Sequence, residues 1–207
     1  MSRIIMPVMS QTYSIPAGTV EESVEIKKSR FIARAAYVAG KDEVTAFVEQ
    51  ARGDHPEARH VCWAYLLGNP ASASNAGMND DGEPSGTAGK PILNVIQHKG
   101  IGDIVVVVIR YFGGIKLGAG GLVRAYSGAA EAAVSVLPVR QLIPQSTLSV
   151  ELDFSREQPL RHWASIHGCQ VADIAYGERV RASLVMAEDL TGEFESFCLA
   201  NGIRILA

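Results

Sequence analysis

The chain has 207 residues, of which 47% are hydrophobic and 20% charged, and a formal net charge of −3. That length holds one large domain or two small ones, with enough core to fold without a disulfide or metal staple. The slightly acidic balance excludes a strongly basic nucleic-acid binder and leaves room only for a local basic patch. Such a patch belongs on the first part: residues 1–143 carry fourteen Lys/Arg against thirteen Asp/Glu, whereas residues 144–207 carry five Arg against nine Asp/Glu. Apolar runs such as Ile104–Ile109 fall far short of the roughly 20 residues a membrane helix needs. Met1–Ser10 is too short and broken for a secretory signal. Cys62, Cys169 and Cys198 are odd in number and widely spaced, which suits free thiols in a reducing compartment. A cytoplasmic location without a membrane partner is expected.

In chain order, Val20–Ile26 and Arg30–Val38 read as strands. Val44, Phe47, Val48 and Ala51 recur at helical spacing, with Asp42 as expected N-cap and Gly53 as stop. His60–Leu67 is a strand, and the Gly-, Asn- and Ser-rich stretch Gly68–Gly89 is loop or irregular hairpin. Pro91–His98 is a short helix, Asp103–Arg110 a β-branched central strand covered on both faces, and Gly118–Leu137 a long alanine-rich helix. Pro138 and Pro144 bracket an expected linker at 139–145, dividing a domain over residues 1–138 from one over 146–207. The second part reads Thr147–Asp153 strand, Arg156–His167 helix, Gln170–Tyr176 and Arg179–Met186 strands, Leu190–Ala200 helix and Ile203–Leu206 strand. This is the β-α-β-β-α-β order of a ferredoxin-like domain. The fold class is α+β.

The most informative stretch runs from Arg110 to Arg124, between a buried strand and a helix. Gly113, Gly114, Gly118, Gly120 and Gly121 allow a sharp bend, and the N–H groups at the helix start can hold an anion. Arg110, Lys116 and Arg124 add charge, and Tyr111 and Phe112 add faces for stacking. Neither a dinucleotide fingerprint nor a P-loop is present, since Val123 stands where the third glycine would fall. The alternative is a tight turn in which the glycines only permit close packing. Lys28 and Arg30 form a basic rim or a solvated strand edge. Asp80, Asp81 and Glu83 could hold a divalent cation, but a turn that pairs with basic side chains is favoured. His60 and Cys62 share a strand face, where packing is favoured over nucleophilic chemistry. No catalytic residue, metal ligand or cofactor is assigned.

Three segments carry a resemblance to a known family: Gly89–Ile96 continuing through Ile101 and Val107–Gly118, the loop Asp80–Pro91, and Lys28–Phe31, with Arg59–Tyr65 also fitting. Together they resemble the signature of the YigZ/IMPACT family over nearly the whole chain. The resemblance implies a first domain similar to the second domain of small-subunit ribosomal protein five. It implies a second domain similar to the last domain of elongation factor G. Eukaryotic relatives act in translational control through protein partners, and RNA or ribosome binding is suggested for bacterial ones. In the shared loop, Asp81, Glu83, Thr87 and Lys90 would support the glycine segment. The expected function is therefore a non-enzymatic, translation-linked protein that binds RNA or the ribosome. The alternatives are a protein-interaction regulator without nucleic acid, and a metal- or cysteine-dependent hydrolase.

Overall fold

A computed structural model describes residues 12–72 and 75–206, so the reading of Met1–Ser10 lies outside the described residues. The chain divides into two compact units, one over Tyr13–Leu142 and one from Ile143 onward. The first contains β1 (Tyr13–Pro16), β2 (Val20–Ile26), β3 (Ser29–Tyr37), α1 (Lys41–Asp54), β4 (His60–Leu67), β5 (Asn75–Asn79), α2 (Gly89–Lys99), β6 (Ile104–Tyr111), α3 (Ala119–Val136) and β7 (Val139–Leu142).

Five of these strands form an antiparallel sheet in the order β2-β3-β6-β4-β5. The β-branched run of β6 takes the centre, and every residue from Ile104 to Arg110 is buried. Successive side chains point to opposite faces. Val106 and Val108 join Phe31, Ala33, Cys62 and Ala64 beneath the Ile92, Ile96, Leu122 and Ala129 faces of α2 and α3. Val105, Val107 and Ile109 join Ile32 and Val61 beneath Val44, Val48 and Ala51 of α1. Each fully buried aliphatic side chain contributes about 1.5–3 kcal/mol relative to exposure, which fixes the strand register as well as the layers.

Several details differ from the sequence reading. Part of the Gly68–Gly89 stretch is a regular edge strand, since β5 pairs with β4 from Trp63↔Asn79 to Leu67↔Asn75. Its Asn-Ala-Gly-Met-Asn sequence carries no alternating pattern. Gly77 sits beneath the Tyr65 ring, where a Cβ would come 2.5 Å from the ring edge. The N-cap of α1 is Gly40 rather than Asp42, and Glu43 in the first turn accepts the Ala39 N–H at 2.9 Å. Residues 139–142 of the expected linker form β7, which pairs antiparallel with β1 from Tyr13↔Leu142 to Pro16↔Val139. Pro138 does end the helix, but the extended residues after it find a partner strand at the far end of the unit's sequence.

The second unit contains β8 (Gln145–Leu152), α4 (Glu157–Ile166), β9 (Gln170–Tyr176), β10 (Val180–Ala187), α5 (Thr191–Asn201) and β11 (Arg204–Leu206). Its sheet runs β11-β8-β10-β9, the ferredoxin-like order. Val150, Leu152, Val180 and Leu184 pack against Leu160 and Trp163 of α4 and Phe194 and Cys198 of α5. The alternate residues of β8 and β10, among them Ser149, Glu151, Arg181 and Ser183, take the other face.

Candidate functional site

A cleft of about 620 Å³ opens where β6 leaves the sheet and bends into α3. Arg59, His60, Glu83, Arg110, Phe112 and Lys116 are among the residues that line it, with Gly118 and Ala119 at the helix start. Gly118 holds the turn at φ 69°, a left-handed conformation that favours glycine. No side chain caps α3 and no acidic residue lies in its first turn. The first N–H groups of a helix lack intrahelical acceptors, so this end carries positive potential beside the cleft.

Arg110, which the sequence offers as charge for an anion, is itself buried. It continues the Val106–Val108 face of β6, beneath α3. Its Nη1 donates to Glu83 Oε1 at 2.5 Å, and the two side chains are only 8% and 4% exposed. The guanidinium lies 5.5 Å from the Phe31 ring centroid and 5.6 Å from that of Phe112. Its Nε is buried without a hydrogen-bond partner. The same Glu83 oxygen accepts the Tyr126 hydroxyl at 2.8 Å. A cation therefore sits in the cleft wall, held by one carboxylate and two rings, with a donor to spare.

The remaining predicted residues separate into cleft-lining and supporting groups. Lys116 is exposed, and Phe112 is 54% exposed. Tyr111 lines the cleft, but its hydroxyl lies 2.8 Å from His55 Nδ1 and its ring lies under the Arg30 guanidinium at 4.6 Å. It is committed to packing, not free for stacking. Gly113 approaches the Lys28–Ser29 peptide closely, and its N–H donates to Ser29 Oγ at 3.2 Å. Gly114 lies in the exposed loop, and Gly120 and Gly121 lie in the first turn of α3. Arg124 is exposed, with Nη1 3.9 Å from where a Gly120 Cβ would lie. Lys28 and Arg30 are exposed but do not line the cleft. Lys28 and its neighbour Lys27 take φ 64° and 47° in the two-residue turn between β2 and β3. A turn of that kind is usually made by Asn-Gly.

The acidic loop makes protein contacts throughout. Asp81 accepts Arg52 Nη2 at 2.7 Å and the Val61 N–H at 2.6 Å, and its carbonyl lies 2.8 Å from His60 Nδ1. The Thr87 hydroxyl donates to the Pro84 carbonyl at 2.6 Å, and Lys90 is exposed on α2. Among the described residues, no group of His, Cys, Asp and Glu is arranged to hold a metal. Cys62 is fully buried, with Sγ 2.9 Å from the Asp80 carbonyl and 3.4 Å from the Tyr126 hydroxyl. Burial pushes its thiol up to about 12, which removes the thiolate a nucleophile needs.

Sequence reasoning placed Asp80 in the acidic loop but missed what it does, which is to accept backbone amides rather than basic side chains. Its carboxylate accepts the N–H groups of Gly86, Ala88 and Gly89 at 2.7, 2.9 and 2.8 Å, capping α2 from across the loop. No capping spacing announces this, because the loop closes the gap. Burial raises the carboxyl's pKa, but the three amides more than offset it and hold the group below the usual range. A depressed folded-state value gives stability that is complete above the unfolded pKa of about 3.9 and is lost as pH falls through the folded value. Asp80→Asn is therefore expected to lower the melting temperature at pH 7 and flatten the loss below about pH 4. Superimposable acid limbs for the two proteins would refute this.

The fold and this bend together define a two-domain α+β protein with a strand-to-helix cleft in its first unit. The family described as Impact N-terminal domain matches residues 27–134, which include the whole bend, and Domain of unknown function (DUF1949) matches residues 150–206. The IMPACT family member YigZ of Escherichia coli (strain K12) is 44% identical over 144 residues, 70% of this chain and 71% of that one. The IMPACT family member YvyE of Bacillus subtilis (strain 168) is 34% identical over 196 residues, 94% and 89% of the two chains. A crystal structure described as that of an hypothetical protein superposes with a TM-score of 0.69 at 34% identity, over 95% of this chain and 97% of the other. The chain belongs to the IMPACT family, as the Gly89–Gly118 motif implies. No helix among the described residues is long and apolar enough to cross a membrane.

Proposed function

We propose that this chain is a non-enzymatic regulatory protein of the translation apparatus that binds RNA, free or on the ribosome, through the cleft at the start of α3. The observation that carries this is a convergence. An uncapped helix N-terminus and the exposed cations Lys116 and Arg59 border one cavity, and the paired Arg110 is packed into its wall. Phosphate oxygens match such a site, because they accept charge-assisted hydrogen bonds from backbone amides and guanidinium together. Glu57 and Glu83 also line the cavity and limit its net charge, which suits selective recognition better than indiscriminate polyanion binding. The translational setting rests on membership of the IMPACT family, whose resemblance implies folds similar to domains of ribosomal protein five and elongation factor G.

A filter-binding titration of single-stranded RNA against salt tests the proposal. Binding is expected to weaken steeply with salt, and Lys116→Ala should reduce the slope by about 0.7 units, one contact on a single strand. Salt-independent binding, or none, would overturn it. The exposed Phe112 and Ile115, at 54% and 43%, favour a second reading in which the same loop meets a protein partner. A partner retained after nuclease treatment and lost on Phe112→Ala would select that reading.

A further inference from the structure

The second unit is acidic as a whole, yet one row of its sheet is not. The register Arg181↔Glu151 and Arg204↔Glu151 lines up β10, β8 and β11 with the carboxylate in the middle. This row lies on the face opposite α4 and α5. The Glu151 side chain is 10% exposed, whereas those of Arg181 and Arg204 are 67% and 64% exposed. Arg181 Nε lies 3.2 Å from Glu151 Oε2, and Arg204 Nη2 lies 2.7 Å from Oε1. Arg179 joins at 3.8 Å from Oε1 while it also holds Asp153 at 2.9 Å. Each guanidinium carries five N–H donors. One carboxylate thus fixes three forks in place and leaves most of the donors on Arg181 and Arg204 to solvent.

Beside the row lies a cavity of about 480 Å³, lined by Arg179, Arg181, Glu151 and the Gly177-Glu178 turn. Farther along the same face, the hydroxyls of Ser149 and Ser183 lie 3.0 Å apart. Tyr176, 62% exposed and also lining the cavity, is stacked on Phe154 and donates its hydroxyl to Glu157. Among the described residues, no exposed large hydrophobic side chain belongs to the row itself. A protein interface would need such an anchor, whereas a polyanion needs forks and hydroxyls. Strands stand about 4.8 Å apart, so the Cα atoms of Arg181 and Arg204 are separated by roughly 9.6 Å. Their long side chains reach from there to neighbouring phosphates of a flexible strand.

We propose that this row is a second phosphate-binding surface for single-stranded RNA, with Arg181 and Arg204 as contacts and Glu151 as their positioning residue. It extends the RNA reading to the second unit and does not depend on the cleft. The test uses the full chain and labelled oligouridine. Arg181→Gln with Arg204→Gln is expected to flatten the salt dependence by about 1.4 units, two contacts at about 0.7 each on a single strand. Because those changes leave Glu151 with only the more distant Arg179, a triple variant that adds Glu151→Gln removes the under-paired carboxylate. It should show the same loss at an undisturbed melting temperature. In a parallel titration, the Nε–H signals of Arg181 and Arg204 should shift with RNA, in wild type and in Lys116→Ala alike. Unmoved arginine signals, or a folded triple variant with unaltered slope, would overturn the proposal. If Lys116→Ala weakens binding and the row variants do not, the cleft stands and this surface falls. If the row variants weaken binding and Lys116→Ala does not, this surface stands and the cleft falls.

Discussion

Glu83→Ala is expected to destabilise the protein by about 3–5 kcal/mol, the usual cost of stranding one partner of a buried ion pair. The loss has two parts. Arg110, 7% exposed, keeps its charge with no counter-ion, and the Tyr126 hydroxyl loses its acceptor. Water cannot repair either, because Phe31 and Phe112 flank the guanidinium and Tyr126 is fully buried. Equilibrium urea unfolding measures the change. Replacing the pair together, Glu83→Leu with Arg110→Met, should cost far less, since removing both charges also removes the desolvation penalty. A Glu83→Ala loss below about 1 kcal/mol would show that the guanidinium has another partner.

Gly113→Ala is expected to have an effect of similar size, about 3 kcal/mol or more, from overpacking against backbone. The added Cβ would lie 1.9 Å from the Lys28 oxygen, 2.0 Å from its carbonyl carbon and 2.5 Å from the Ser29 nitrogen. No side chain can move aside, so the bend or the β2–β3 turn must shift. Both the melting temperature and RNA binding should fall, because the start of α3 moves with the bend. Gly120→Ala is the control. Its Cβ would meet nothing closer than Arg124 Nη1 at 3.9 Å, and alanine favours a helix over glycine by about 1 kcal/mol. That variant should be neutral or slightly more stable. Equal damage from the two substitutions would contradict the close approach assigned to Gly113.

The elements legible in the sequence are those whose burial pattern is local. The β-branched run of β6, the alanine face of α3 and the alternation of β8 each announce their environment within a few residues. The strands β5 and β7 do not, because their pairing depends on partners elsewhere in the chain. The same division holds at the site. Positions Gly113 to Lys116 mark the bend plainly, but the role of Arg110 rests on Glu83, which is distant in sequence. The period of two offered a clue: Arg110 follows Val106 and Val108 on one face, and a cation there must be paired. Asp80 carried no such signal, since it caps α2 only after the loop folds back. The arginine row of the second unit was hidden by averaging, as the surplus of acidic residues there masks three guanidiniums brought together by strand register.

The pairing of β1 with β7 has a topological consequence. Tyr13 and Leu142 are register partners, so the first unit begins and ends at adjacent points, with Cα atoms about 5 Å apart. Such a unit is a cassette. It can be spliced into a surface loop of another protein, or have its ends fused and be reopened elsewhere, without stretching its sheet.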